Sequence, residues 1–155
     1  MDLYLALKSL HIVGAVLFIG NIIVTGWWKV AADLTRNPTI IAFAQRQVTL
    51  TDWVFTTGGV TLVAVAGCGN ALLHGIPFTT TWIAWGDALF IASGVVWLAV
   101  LIPVQGKLTR LTRAFADGGA IPDAYWRLEK QWVIWGTVAT VLPLAVIPLM
   151  VWKVS

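Results

Sequence analysis

The sequence predicts an all-α integral membrane protein, a single-domain bundle of four transmembrane helices. Three observations carry that reading. The 155-residue chain is 59% hydrophobic, with a mean hydropathy of +0.84. It holds 10 basic and 7 acidic side chains, where a soluble chain of this length carries about 39 charges. Its apolar residues gather into four long runs, and its basic residues gather into two of the three links between them. This composition excludes a soluble domain and a disordered chain. The single cysteine, Cys68, excludes an intrachain disulfide framework and a zinc site built mainly from cysteines.

The runs are Leu3–Trp28, Trp53–Leu73, Trp82–Val104 and Trp132–Trp152. About 20 helical residues cross a bilayer core of about 30 Å. Transmembrane strands would be about half that length and would alternate, so helices are predicted. The first run lacks a basic flank and is too long for a cleaved signal peptide. Lys29, Arg36 and Arg46 follow the first span. Lys107, Arg110, Arg113, Arg127 and Lys130 separate the third from the fourth. The link His74–Thr81 has no Lys or Arg. The positive-inside rule then puts both basic loops in the cytoplasm and both termini outside, in the periplasm of a bacterium. The expected location is the bacterial inner (cytoplasmic) membrane, as a multi-pass protein. Trp27, Trp28, Trp53 and Trp132 mark the inner interface; Trp82, Trp85 and Trp152 mark the outer one.

The basic loops read as helical extensions. Asn37-Pro38 is a cap followed by a first-turn proline, and a helix from there would run straight into the second span. Gln105–Asp117 sets Leu108, Leu111 and Phe115 at helical spacing. Gly118-Gly119 ends that helix, and Asp123 is placed to cap the next. The basic faces suit anionic lipid, not nucleic acid. The halves share a plan, with Asp52-Trp53-Val54 and Gln131-Trp132-Val133 at matching entry points, as a parallel hairpin duplication would leave them.

Polar residues within the spans point to the bundle interior, because hydrocarbon does not solvate them. The first span presents Lys8, His11, Gly14, Phe18, Asn21 and Thr25 on one face. The second presents Asp52, Thr56, Gly59, Val63, Gly67, Asn70 and His74. Asp87, Phe90 or Ile91, and Gly94 share a face of the third, with Ser93 alongside; Gly136 and Thr140 follow on the fourth, which Pro143 and Pro148 kink. Within this pattern Lys8, His11, His74 and Asp87 fall in one outer layer on three helices. Intramembrane ionisable groups are candidates for function.

Three uses compete for the layer. His11 and His74 would supply nitrogens to a b-type haem, most simply through His11 alone. Alternatively, they and Asp87 would bind copper or zinc. In the plainest reading Lys8 and Asp87 neutralise each other, with His11 hydrogen-bonded nearby. Cys68, between Gly67 and Gly69, reads as an inert small residue. Phosphate loops, nucleophile elbows and paired catalytic carboxylates are absent, which argues against a soluble-type hydrolase.

Leu7-Lys8-Ser9-Leu10-His11-Ile12, Gly20, and Leu101-Ile102-Pro103-Val104-Gln105 resemble a family of four-helix bacterial membrane proteins, domain-of-unknown-function family 2269 (DUF2269). The resemblance covers nearly the whole chain and implies no established activity. The Lys-x-Leu-His-Ile start is also similar to the first helix of HemJ-type protoporphyrinogen oxidases and to the membrane domains of copper resistance protein D. The first likeness implies haem b at His11 and membrane-coupled oxidation of protoporphyrinogen. The second implies copper handling. The expected protein binds haem b in its outer layer, with Lys8 on a propionate and Asp87 orienting an imidazole. Its role would be redox or electron transfer with a quinone. The alternatives are a non-enzymatic transporter or accessory subunit, or a copper-handling protein with no haem. A homodimer or a partner membrane protein fits the small size, and whether the chain is an enzyme stays open.

Overall fold

The computed structural model describes residues 2–153, and every regular element among them is helical. Four helices, α1 (Leu3–Leu34), α2 (Pro38–Leu73), α3 (Thr81–Phe115) and α4 (Asp123–Trp152), are each long and apolar enough to cross a membrane. Large apolar side chains such as Val16, Val65, Ile91 and Leu98 stay exposed on their outer faces. Lipid is the solvent such faces fit.

The extensions form as expected. The Asn37 side chain accepts from the Thr39 and Ile40 amides, and Pro38 opens α2, which runs on through the second span. α3 continues past the third span to Phe115, and Gly118 turns the chain at φ +99°. One cap differs. Pro122 occupies the cap position of α4 in extended backbone, and Asp123 is the first helical residue. Its carboxylate therefore meets the positive end of the helix without capping it.

α2 and α3 are each continuous through one five-residue π-helical turn, Asp52–Thr56 and Trp97–Leu101. Both turns lie 14 residues from the basic end of their helix, or about 21 Å at 1.5 Å per residue. They share one layer, where the Trp53 and Trp97 rings meet edge to face at 6.4 Å. In α3 a cause is visible. Pro103 lies two residues past the widened turn, has no N–H to donate, and would crowd the carbonyl four residues back. The features that two helices share thus sit on α2 and α3, whereas parallel duplication places them on α2 and α4. Trp53 and Trp132, its matching entry points, are respectively exposed and buried.

Between the π layer and the basic end α2, α3 and α4 share one core, built around Ile41, Val48, Leu101, Val104, Leu108, Phe115 and Tyr125. On the far side of the layer they pack as two pairs, α1 on α2 and α3 on α4. A Cβ on Gly59 would stand 2.7 Å from the Gly14 carbonyl oxygen, so only glycine permits the α1–α2 approach. In the other pair the Ser93 hydroxyl donates to the Ala139 carbonyl at 2.7 Å. Among the described residues the backbones of the two pairs do not pack together there. The Phe18 and Phe90 rings bridge the gap at 6.2 Å.

Candidate functional site

The expected outer layer is only partly assembled. His11 is half-buried, and its Nδ1 lies 2.9 Å from the Val63 carbonyl. A carbonyl only accepts, so Nδ1 carries a proton. Gly67 makes room for the ring, since a Cβ there would stand 2.9 Å from Nδ1. His74 is exposed at the end of α2, with Nδ1 on the Asn70 carbonyl and its ring against Tyr4. Asp87 is half-buried within electrostatic reach of His11. Lys8 is exposed and lies over the Tyr4 ring. Among the described residues Lys8 and Asp87 form no ion pair, and no group of three or more His, Cys, Asp or Glu could hold a metal. Cys68 is exposed on an outer helix face.

Two polar clusters that sequence reasoning did not single out lie at the other end. The first ties α1 to α4. Lys29 is wholly buried, so it is not the solvated loop charge its position suggests. Its ammonium donates to Asp33 at 2.9 Å, to Glu129 at 2.7 Å and to the Tyr125 hydroxyl. The Tyr125 hydroxyl in turn donates to Asp33. All three ammonium donors are used, but Glu129 Oε1 is buried without a partner. The cluster lies just beyond Trp28 and Trp132, the limits expected from the sequence for the first and fourth spans. Burial pushes the Glu129 carboxyl up to about 7, against the lowering pull of Lys29. Burial and the neighbouring carboxylates raise the Tyr125 phenol as well. The signal was available: Lys29 and Asp33, and Tyr125 and Glu129, are each four residues apart on one helical face.

The second cluster surrounds Asp52, at the start of the α2 π turn. Asn21 of α1 donates to its Oδ1 at 3.1 Å and Thr56 at 3.0 Å, while Gln105 of α3 donates to Oδ2 at 3.2 Å. Asp52 is buried, more deeply than Asp87. No Lys, Arg or His pairs with it among the described residues. The carboxylate lies in the wall of a cavity of about 430 Å³ enclosed by all four helices. Thr25, Thr56, Ser93, Gln105 and Thr140 add polar groups to an otherwise apolar lining. Exposed Ile23 and Trp27 of α1 and Val133 and Val141 of α4 frame the mouth. The cavity therefore opens sideways between α1 and α4, beside the π layer. Asn21, Asp52 and Thr56 were all placed on interior faces by their spacing. In the sequence Gln105 ends the Leu101–Gln105 motif and opens the Gln105–Asp117 extension, and neither reading points it toward Asp52.

Residues 5–154 match the family model described as predicted integral membrane protein (DUF2269), and the chain belongs to that family. Neither a curated protein nor a solved structure matches it.

Proposed function

We propose that this multi-pass membrane protein takes up a small amphiphile from the bilayer and holds it in the cavity between α1 and α4, as a carrier or as the binding subunit of a larger assembly. The observation that supports this is the cavity itself. About 430 Å³ is within the range of small-molecule sites. Its apolar lining suits a hydrocarbon or aromatic body, and its polar residues suit one head group. Its mouth opens to lipid, so a ligand dissolved in the membrane enters without crossing water. Quinones belong to this ligand class.

Gly136 and Gly94 line the cavity, and a Cβ on either would meet nothing within 4 Å. Gly136→Leu therefore starts its side chain in open space and narrows the cavity. In nanodiscs, pyrenemethanol should accept energy from the cavity tryptophans Trp27, Trp97 and Trp132. The transfer should fall to the bilayer background in Gly136→Leu. Equal transfer in both proteins overturns the proposal. The basic end is assigned to the cytoplasm of a bacterial inner membrane by its charges alone. A reporter inserted at Gly118 should read cytoplasm, and a periplasmic signal would invert the assignment.

His11 supports a second reading, haem binding at the opposite end. Its Nδ1 proton is committed to the Val63 carbonyl, which presents Nε2 as a ligating nitrogen in a fixed orientation. His74 is held the same way by Asn70, so a copper site would use the Nε2 atoms of both. Protein from haem-replete cells should show a Soret band that His11→Ala removes. A colourless preparation overturns the haem reading, and a metal-free one overturns the copper reading.

A further inference from the structure

We propose that the ligand is a cation of a particular kind: an amphiphilic amine whose ammonium N–H donates to Asp52. The inference rests on the cavity reading and specifies its head-group chemistry. A carboxylate offers about four lone-pair directions. Asn21 and Thr56 occupy Oδ1, and Gln105 occupies Oδ2. One direction on Oδ2 is left, and Asp52 forms part of the cavity wall.

The surroundings set the charge of the partner. A buried carboxylate is costly unless it is paired with a cation or takes up a proton. The nearest buried cation, Lys29, spends its three donors on Asp33, Glu129 and Tyr125. Asp52 is thus a carboxyl group held in place with no protein counter-ion among the described residues. An incoming ammonium supplies that counter-ion, and a proton replaces it when the ligand leaves.

The surroundings also argue against a metal ion. A hard cation needs six or more converging oxygens. Here Asn21 and Gln105 turn their amide nitrogens, which are donors, toward the carboxylate. Donors hold the carboxylate in place but repel a bare cation. An ammonium binds through a single directed hydrogen bond and needs no oxygen cage. Depth fits as well. Asp52 directly precedes the second span, at the level of the lipid head groups. The cavity continues from it toward Phe18, Phe90 and Val141 in the membrane interior. An amine lying head at Asp52 and body inward keeps the orientation it has in the leaflet.

The test compares two probes of nearly equal size, pyrenemethylamine, protonated near neutral pH, and pyrenemethanol. Both are titrated into the protein in phosphatidylcholine nanodiscs, with Gly136→Leu giving the bilayer background. The amine should bind about tenfold more tightly, the expected gain for a charge-assisted over a neutral hydrogen bond. Asp52→Asn should abolish that preference, read as the ratio of the two affinities in the same protein. Equal affinities for the native protein overturn the inference while the cavity reading stands, and that comparison needs no variant to fold. A preference that survives in Asp52→Asn overturns it too. Binding of neither probe above background overturns the cavity reading and the inference together.

Discussion

The basic end and the end that carries the termini are built on different principles. At the basic end α2, α3 and α4 share one core, and a wholly buried Lys29 binds α1 to α4 through Asp33, Tyr125 and Glu129. Arg36 adds a further tie, its guanidinium 4.1 Å over the Trp126 ring. At the other end the helices hold only in pairs. The contrast teaches where tertiary specificity comes from in this chain. Within lipid, apolar helix faces gain nothing by turning away from the solvent, so only close backbone approach and a few hydrogen bonds join them. Near the head groups, water restores the hydrophobic drive and a full core forms. The cavity occupies the boundary between the two regimes.

The contrast breaks most severely at Lys29. Lys29→Met leaves two buried carboxylates without a cation, and breaking such a pair costs about 3–5 kcal/mol. Denaturant titration in mild detergent should show that loss. A stability within about 0.5 kcal/mol of the parent would mean that the clasp is not what holds α1 to α4. Gly59→Ala attacks the paired end instead. The added Cβ would lie 2.7 Å from backbone atoms of Gly14 and Phe18, and overpacking of this kind costs about 1–3 kcal/mol. A disulfide trapped between Cys pairs on α1 and α2 should form more slowly in that variant, and an unchanged rate would count against the close approach.

Glu129 offers the finest adjustment. Its folded value, about 7, lies above the ordinary 4.5. Between those values the folded chain holds a proton that the unfolded chain has released. Stability should therefore fall as pH rises from about 4.5 to about 7. Glu129→Gln should flatten that slope. A slope that persists in the variant would count against Glu129 as its source.

Most of the fold was legible because lipid writes long, simple signals. Span limits, the Asn37-Pro38 start and the Gly118 stop all follow from local composition. The π turns were not legible, since nothing in Asp52–Thr56 departs from an ordinary helical pattern. Of the cavity wall, Asn21, Asp52 and Thr56 could be assigned to interior faces by spacing. Their meeting with Gln105 depends on how α3 rotates against α2, which no single helix encodes. The pairing of Lys29 stayed hidden for a related reason. A lysine one residue past a tryptophan anchor looks like a topology signal until a second helix brings Glu129 to it.

The two π turns have a further consequence. Each admits one residue more than an α-helix would, and one residue is about 100° of rotation. Each turn is thus a phase slip between the lipid half and the basic half of its rod. A one-residue deletion in either turn would heal the helix yet swing every later side chain about 100° off its partner. The lengths of α2 and α3 are therefore locked to each other through the layer where Trp53 meets Trp97. Insertions in the loops leave that phase untouched, so length variation in this chain belongs in the loops and not in the rods.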